Sequence, residues 1–161
     1  MIQLHRYREV QEFKNQVEPL LSKNEVLHNL ALGILHSLNE SSKPNFMGVI
    51  LKDSRAALVL LQTHPKQIIL SQIQKLTECE LSEAAELLQE IDVPGLVGER
   101  QTALYLSQKL ATLKNQEASL KMDQRIYRLD KVKKAVDADG VLVKARLEHL
   151  PLVTEWIWEF M

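Results

Sequence analysis

The chain lacks several features that would mark a secreted, membrane or nucleic-acid-binding protein. Its 161 residues include one cysteine, Cys79, so no internal disulfide can form, which fits a reducing compartment. The 20 basic and 21 acidic residues give a net charge of -1, without the basic excess typical of nucleic-acid binders. No apolar run approaches the length of a membrane span, and charges interrupt the N-terminal segment. We therefore expect a cytoplasmic globular protein with no membrane or nucleic-acid partner.

Residues suited to metal or nucleophilic chemistry are also sparse. The 5 histidines are dispersed, and His28 and His36 stand two helical turns apart, whereas a helical metal pair is separated by one turn. Cys79 falls in the first turn of a predicted helix, but Glu78 and Glu80 oppose its ionisation and no histidine is near in sequence. We predict neither a metal site nor a catalytic residue.

The chain does contain a markedly apolar segment, residues 46–70. It indicates three strands at residues 46–52, 56–62 and 67–70, separated by Asp53-Ser54-Arg55 and by a turn that contains Pro65. Strands with near-continuous apolar runs are usually covered on both faces. We therefore predict an α/β (α+β) fold, in which a mostly antiparallel or mixed central sheet is flanked by helices on both faces.

Helical periodicity predicts two helices before these strands and two after them. The first spans about residues 7–17 and is kinked or ended by Pro19, and a capping box at residues 22–25 opens the second. Gly33 within the second helix suggests a close backbone approach. A capping box at residues 77–80 opens the third helix, and Gly98 starts the fourth. The predicted inward residues are Leu27, Leu30, Ala31, Ile34, Leu35 and Leu38 in the second helix and Ala103, Leu106, Leu110 and Leu113 in the fourth.

The remaining elements are short. Leu96 and Val97 form a predicted strand, residues 121–129 a predicted edge strand, and the charged residues 131–139 a linker. Beyond the linker we predict a strand at residues 141–143 and an amphipathic helix that carries both tryptophans. Because these two elements cannot bury their own faces, we expect that the chain is cut off here or that it binds a partner.

Two places could bind a small molecule. Gly95-Leu96-Val97-Gly98 precedes a helix, whose free amides favour phosphate oxygens, so Gly95, Gly98 and Arg100 are candidate cofactor-binding residues. Glu99 would repel an anion there, and a tight turn explains the glycines equally well. Glu25 and Asn29, one turn apart near the start of the second helix, could face a substrate cleft, or they could be a capping residue and a solvated amide.

Residues 122–132 contain the pattern R-x-Y-x-L-x-x-V, formed by Arg125, Tyr127, Leu129 and Val132. This segment resembles the middle of bacterial two-part GNAT superfamily N-acetyltransferases, where such a strand precedes the linker to the catalytic domain. Residues 25–35, 63–71 and 94–98 are similar to the N-terminal region of that family. Ala145 and residues 150–160 are similar to the first strand and helix of its acetyl-CoA-binding domain. The predicted element order is the GNAT order lacking its first strand.

The resemblance implies a degenerate GNAT-like domain at residues 1–130, a linker at 131–139, and the first strand and helix of a truncated acetyl-CoA-binding domain at 140–161. In the family, a glycine-containing loop after the last strand of the meander holds the cofactor's pyrophosphate. The corresponding residues 71–77 contain no glycine, so side chains would prevent the close approach of backbone to pyrophosphate. Val143, Arg146 and His149 also replace the arginine and the helix-capping Thr and Asp of the family pattern.

The function implied by the resemblance is acetyl transfer from acetyl-CoA to a small-molecule or peptide amine. This chain would shape the acceptor side of the cleft and would be inactive alone, since it lacks the cofactor loop and the catalytic half. Acetyl-CoA would serve the complete enzyme and would not bind this chain by itself. The alternative is a non-enzymatic GNAT-like binding module, or a homo-oligomer formed through residues 140–161.

Overall fold

The computed structural model describes residues 1–133 and 140–160. The chain divides into two compact units, Met1–Tyr127 and Arg128–Met161. Among the described residues, no helix combines the length and the apolar character needed to cross a bilayer.

The first unit is built on a five-stranded sheet with the order β1-β2-β3-β4-β5. The strands are β1 (Ile2–Arg6), β2 (Phe46–Lys52), β3 (Arg55–His64), β4 (Gln67–Gln72) and β5 (Leu96–Val97). Neighbours are antiparallel from β1 to β4, whereas β4 and β5 are parallel. The predicted mixed sheet is therefore confirmed, with the three central strands and the short β5 near their predicted positions.

Helices cover both faces of this sheet, as the continuous apolar runs of its strands predict. On one face pack α1 (Val10–Leu21) and α2 (Glu25–Ser37), and on the other α3 (Glu78–Leu88) and α4 (Arg100–Leu113). Strand residues alternate between the two layers. Met47, Val49, Val59, Leu61 and Ile69 face α1 and α2, whereas Ile50, Leu58, Leu60, Ile68 and Leu70 face α3 and α4.

The structure adds a first strand that the sequence analysis missed. β1 pairs antiparallel with β2 from Ile2 opposite Lys52 to Arg6 opposite Gly48. Only Ile2 of this strand is buried, and Leu4 is half-buried, because β1 lies at the edge of the sheet. Two alternating apolar side chains are a weak strand signal, and pairing with β2 decides the conformation.

The predicted edge strand at residues 121–129 is wrong. These residues have no regular secondary structure and are exposed. A strand needs a hydrogen-bonded neighbour, and the β-favouring side chains of this segment cannot supply one. In the predicted linker, residues 131–133 are irregular and exposed, and residues 134–139 lie outside the described part of the chain.

The junction between α1 and α2 also differs from the prediction. α1 continues through Pro19 to Leu21, because the missing proline amide removes a hydrogen bond only near the helix end. Ser22–Asn24 then form a 3-10 turn, and Asn24 caps α2 by accepting a hydrogen bond from the amide of Leu27 at 3.4 Å. The predicted capping box at residues 22–25 is therefore wrong, since Ser22 belongs to the preceding turn.

The buried face of α2 is rotated from its predicted position. His28, Ala31, Leu32 and Leu35 are buried, whereas Leu27 and Leu30 are 45% and 47% exposed. A β-carbon built on Gly33 meets no atom within 4 Å, so the predicted close backbone approach there is wrong.

The start of α3 agrees with the prediction. Thr77 and Glu80 form the capping box, in which the Glu80 carboxylate accepts from the amide of Thr77 at 2.8 Å. The same carboxylate pairs with the ammonium of Lys52 on β2 at 2.7 Å, which ties this helix to the sheet. The hydrogen bond from Lys52 is the main reason that the pKa of Glu80 is lowered.

The second unit contains a 3-10 turn, Leu147–His149, that leads into α5 (Leu150–Phe160). Nδ1 of His149 accepts a hydrogen bond from the amide of Arg146 at 3.1 Å, which caps this turn. The predicted helix is thus present, but the predicted strand at residues 141–143 is wrong because these residues are irregular and exposed.

Candidate functional site

A cleft of about 1530 Å³ opens in the first unit where β4 and β5 part. The two strands pair only at Ile68 with Leu96 and Ile69 with Val97, after which β4 continues to Gln72 while the chain leaves β5 toward α4. The first two turns of α2 form one wall of the cleft, and the residues from β5 through α4 form the opposite wall. Residues 116–126 border the cleft on the α4 side.

Gly95 and Gly98 lie on this second wall, and close packing accounts for both. A β-carbon on Gly98 would lie 2.5 Å from the carbonyl oxygen of Leu70, and one on Gly95 would lie 3.0 Å from that of Lys66. Neither glycine has a positive φ, so a left-handed turn does not require them. These glycines allow the chain around β5 to approach β4.

The first turn of α4 is occupied by a side chain of the protein itself. The Glu99 carboxylate accepts hydrogen bonds from the amides of Gln101 at 3.0 Å and Thr102 at 2.8 Å. Burial raises the pKa of Glu99, but the hydrogen bonds from these two amides outweigh burial, and the pKa lies below its ordinary value. Arg100 pairs with Asp123 at 2.5 Å. A charged carboxylate thus fills the place that a phosphate would take in the predicted cradle.

The backbone amides of the loop at residues 71–77 are similarly engaged. The amides of Ile73 and Gln74 both donate to the carbonyl oxygen of Ala57, at 2.8 and 3.1 Å. The amide of Thr77 donates to Glu80, and the side chain of Leu76 is buried in the core. These amides therefore do not point freely outward as a pyrophosphate site requires.

The structure brings Asn29 to the cleft but not Glu25. Asn29 is exposed on the α2 wall, whereas Glu25 is exposed at the start of the helix, outside the set of described residues that line the cleft. Of the predicted site residues, Gly95, Gly98, Arg100 and Asn29 share this cleft.

Two polar side chains that the sequence analysis did not assign to the site lie deeper on the α2 side. His28 and Ser71 are only 5% and 4% exposed, and both line the cleft. Neither the imidazole of His28 nor the hydroxyl of Ser71 has a hydrogen-bond partner among the described residues, yet neither group is sealed from solvent. Burial lowers the pKa of His28 from its ordinary value of 6.5, so the imidazole is neutral at physiological pH.

Two polar side chains of the opposite wall, those of Thr102 and Lys114, have hydrogen-bond partners within the protein. The hydroxyl of Thr102 donates to the Gln72 side chain at 2.7 Å, and the ammonium of Lys114 donates to the carbonyl oxygen of Ile91. All the charged side chains that line the cleft belong to this wall or to residues 116–126. The polar groups of Thr102 and Lys114 are therefore paired within the protein, whereas the uncharged groups of His28 and Ser71 are not paired with any described residue.

The lowered pKa of His28 predicts a pH-dependent stability. Between the folded and unfolded pKa values the unfolded chain binds more protons, so stability falls as the pH drops below about 6.5. Urea unfolding between pH 8 and pH 5 should show this loss in the wild type and a smaller loss in His28→Phe. Leu30→Phe, at an exposed position of the same helix, should retain the wild-type loss because it changes no titratable group. Equal pH profiles for wild type and His28→Phe would contradict the assignment of a neutral buried imidazole.

Comparison with known proteins gives no match: the chain matches no protein-family model, no curated protein and no solved structure. Among residues 1–133 and 140–160, no three His, Cys, Asp or Glu side chains come together as metal ligands.

Proposed function

We propose that this chain is the N-terminal part of a two-part GNAT-type N-acetyltransferase and that its cleft forms the acceptor side of that enzyme. In the proposed reaction, the neutral amine attacks the thioester carbonyl of acetyl-CoA, the coenzyme A thiolate leaves, and the amine loses a proton. Positioning of the two reactants supplies much of the catalysis. We place this activity in the cytoplasm, in keeping with the single cysteine.

The order of elements is the observation that carries this proposal. With β1 present, the first unit runs β1-α1-α2-β2-β3-β4-α3-β5-α4, which supplies the first strand that the sequence analysis lacked. The antiparallel strands β1 to β4 are followed by a parallel β5, and the cleft opens where β4 and β5 part. Because one fold can carry many functions, the test of this function is made at the site itself.

The geometry of residues 71–77 favours a non-catalytic role for this copy. The amides of Ile73, Gln74 and Thr77 are bonded within the protein, and the first turn of α4 is filled by the Glu99 carboxylate. A cofactor pyrophosphate would have to break these hydrogen bonds before it could bind. We therefore assign acetyl-CoA binding to the catalytic half and acceptor binding to this domain.

Two binding measurements on the full chain test the proposal. Excess acetyl-CoA should leave the thermal unfolding temperature unchanged, whereas a ligand at about 100 times its Kd would add about 2.7 kcal/mol of stability. Ethylamine or trifluoroethylamine should cause saturable shifts of α2 and β4 signals in proton–nitrogen NMR spectra. Stabilisation by acetyl-CoA would overturn the assignment of residues 71–77 as a loop that does not bind the cofactor. If neither ethylamine nor trifluoroethylamine bound, the acceptor role would be overturned.

The second candidate function is a non-enzymatic module that forms homo-oligomers through residues 140–161. The observation in its favour is that α5 leaves large apolar side chains exposed, namely Leu150, Leu152, Trp156, Ile157, Trp158 and Phe160. Light scattering of the full chain should then give a multiple of the 18.5 kDa monomer mass, and Trp156→Gln with Trp158→Gln should restore the monomer. A monomeric wild type would exclude this function.

A further inference from the structure

On the α2 side, the innermost part of the cleft carries two polar side chains, those of His28 and Ser71, that form no hydrogen bond with another described residue. His28 projects from the buried side of α2, where Ala31 and Leu35 are also buried. Ser71 lies on β4 two residues after Ile69, and strand alternation places both side chains on the face of the sheet that α2 covers. Both polar residues are more than nine-tenths buried and both line the cleft.

Their lack of partners is unusual for buried polar groups. Most such groups form a hydrogen bond inside the protein or to ordered water, because leaving water without a replacement bond costs free energy. Thr102, which is buried on the opposite wall, follows this rule by donating to the side chain of Gln72. The imidazole of His28 and the hydroxyl of Ser71 keep access to the cleft, so a molecule in the cleft could satisfy them.

We propose that His28 and Ser71 form a binding site for an uncharged hydrogen-bonding group of a small molecule. We assign that group as the acceptor's amine in its neutral form, and this assignment rests on the proposed function. A neutral imidazole and a hydroxyl can each accept a hydrogen bond from an N–H group. The neutral amine is also the form that has a free electron pair for attack on a thioester.

The distribution of charge supports the choice of an uncharged group. On the α2 wall the lining residues are Leu27, His28, Asn29, Leu30 and Ala31, none of which is a carboxylate, lysine or arginine. An ammonium or carboxylate bound beside His28 and Ser71 would lose its hydration without meeting an opposite charge, which costs free energy. The burial that keeps His28 neutral would disfavour the charged form of a bound amine in the same way.

Probes of similar size can test, with the full chain, whether the site binds an uncharged group and whether that group is an amine. Trifluoroacetamide and trifluoroethylamine are uncharged at neutral pH, whereas trifluoroacetate is an anion of similar size and ethylamine is a cation. Fluorine NMR titrations give the affinity of the fluorinated probes. Proton–nitrogen spectra give the affinity of ethylamine and show whether the signals of His28 and Ser71 shift with each probe. We expect both uncharged probes to bind about tenfold more tightly than either charged probe.

Substitutions at the two residues should remove this binding. His28→Phe and Ser71→Ala are each expected to weaken trifluoroethylamine binding about tenfold, the effect of losing one hydrogen bond. His36→Phe, an exposed position on α2, and Ser107→Ala are the matched controls and should leave affinity unchanged. Ser107 lines the cleft from α4, and its hydroxyl already donates to the carbonyl oxygen of Leu104.

The outcomes separate this proposal from the proposed function. If trifluoroacetamide binds at His28 and trifluoroethylamine does not, the uncharged site stands and the assignment to an amine fails. If an amine shifts cleft signals equally in the wild type, His28→Phe and Ser71→Ala, the acceptor role survives and this site is wrong. Tightest binding by trifluoroacetate, or no shift of His28 and Ser71 signals with any probe, would also overturn the site. Because the wild-type spectra report on both residues directly, the result does not depend on the variants folding.

Discussion

Replacing Gly98 by alanine should lower the free energy of unfolding by about 2 kcal/mol, a typical cost of overpacking. The new β-carbon would lie 2.5 Å from the carbonyl oxygen of Leu70 and 2.9 Å from its β-carbon. The oxygen is a backbone atom of β4, so the clash cannot be relieved by rotating a flexible side chain. The chain between β5 and α4 must move away from β4, and the cleft would widen at this point. Urea unfolding of the wild type and variant gives the difference directly.

Gly33→Ala is the matched control and should change stability in the opposite direction. Gly33 lies inside α2, and an added β-carbon meets no atom within 4 Å. Alanine therefore gains helix propensity without a clash, which should raise the free energy of unfolding by about 0.5 to 1 kcal/mol. If both substitutions shifted stability in the same direction, the contrast between a crowded and an open glycine would be wrong.

The second large effect is expected at the buried centre of α4. Leu106→Ala should lower the free energy of unfolding by about 3 kcal/mol, within the usual range for a leucine whose removal leaves a cavity. Leu106 is 0% exposed and packs with residues of α3 and of the sheet, including Leu58 and Leu88. Chemical denaturation measures this loss, and near-ultraviolet circular dichroism checks that the variant keeps its tertiary packing.

Leu113→Ala provides the control on the same helix. The periodic pattern of α4 predicted Leu106 and Leu113 on one inward stripe, but Leu113 lies at the helix end and is 38% exposed. Its truncation should therefore cost less than about 1 kcal/mol. Equal costs at the two positions would mean that the last turn of α4 is packed as tightly as its centre.

These contrasts show which parts of the fold can be predicted from the sequence. The apolar runs of β2, β3 and β4 predicted a sheet covered on both faces, because no other environment suits continuous apolar strands. The capping box at Thr77 was predicted correctly because it is a local interaction between residues three apart. Local chemistry and periodicity therefore determine most of the elements.

The errors involve interactions between segments distant in sequence. β1 carries only two alternating apolar residues, and residues 121–129 have β-favouring side chains but no neighbouring strand. In both cases the presence or absence of a partner decides the conformation. α2 has leucines on several sides, so its sequence is compatible with more than one inward face.

The same ambiguity explains why the candidate site was only partly predicted. Of the predicted cleft residues Glu25 and Asn29, only Asn29 lines the cleft. His28 was treated as an ordinary histidine because Leu27 and Leu30 were expected to point inward. His28, Leu32 and Leu35 are also spaced as one face of a helix, and this spacing was the signal in the sequence that His28 is buried. Ser71 gives no signal in the sequence, since its place beside the cleft depends on where β4 and β5 part.

The pairing pattern of the sheet also has a consequence for the order in which the protein folds. β2, β3 and β4 are joined by short turns, so their contacts close small loops and lose little chain entropy. β1 can pair with β2 only after the two helices between them have folded. In the same way, β5 can pair with β4 only after the helix between them has folded. We expect the hairpins to form the folding nucleus and the cleft beside β5 to be completed late. The binding site would then belong to the last part of the domain to fold and the first to open, as measured by native-state hydrogen exchange.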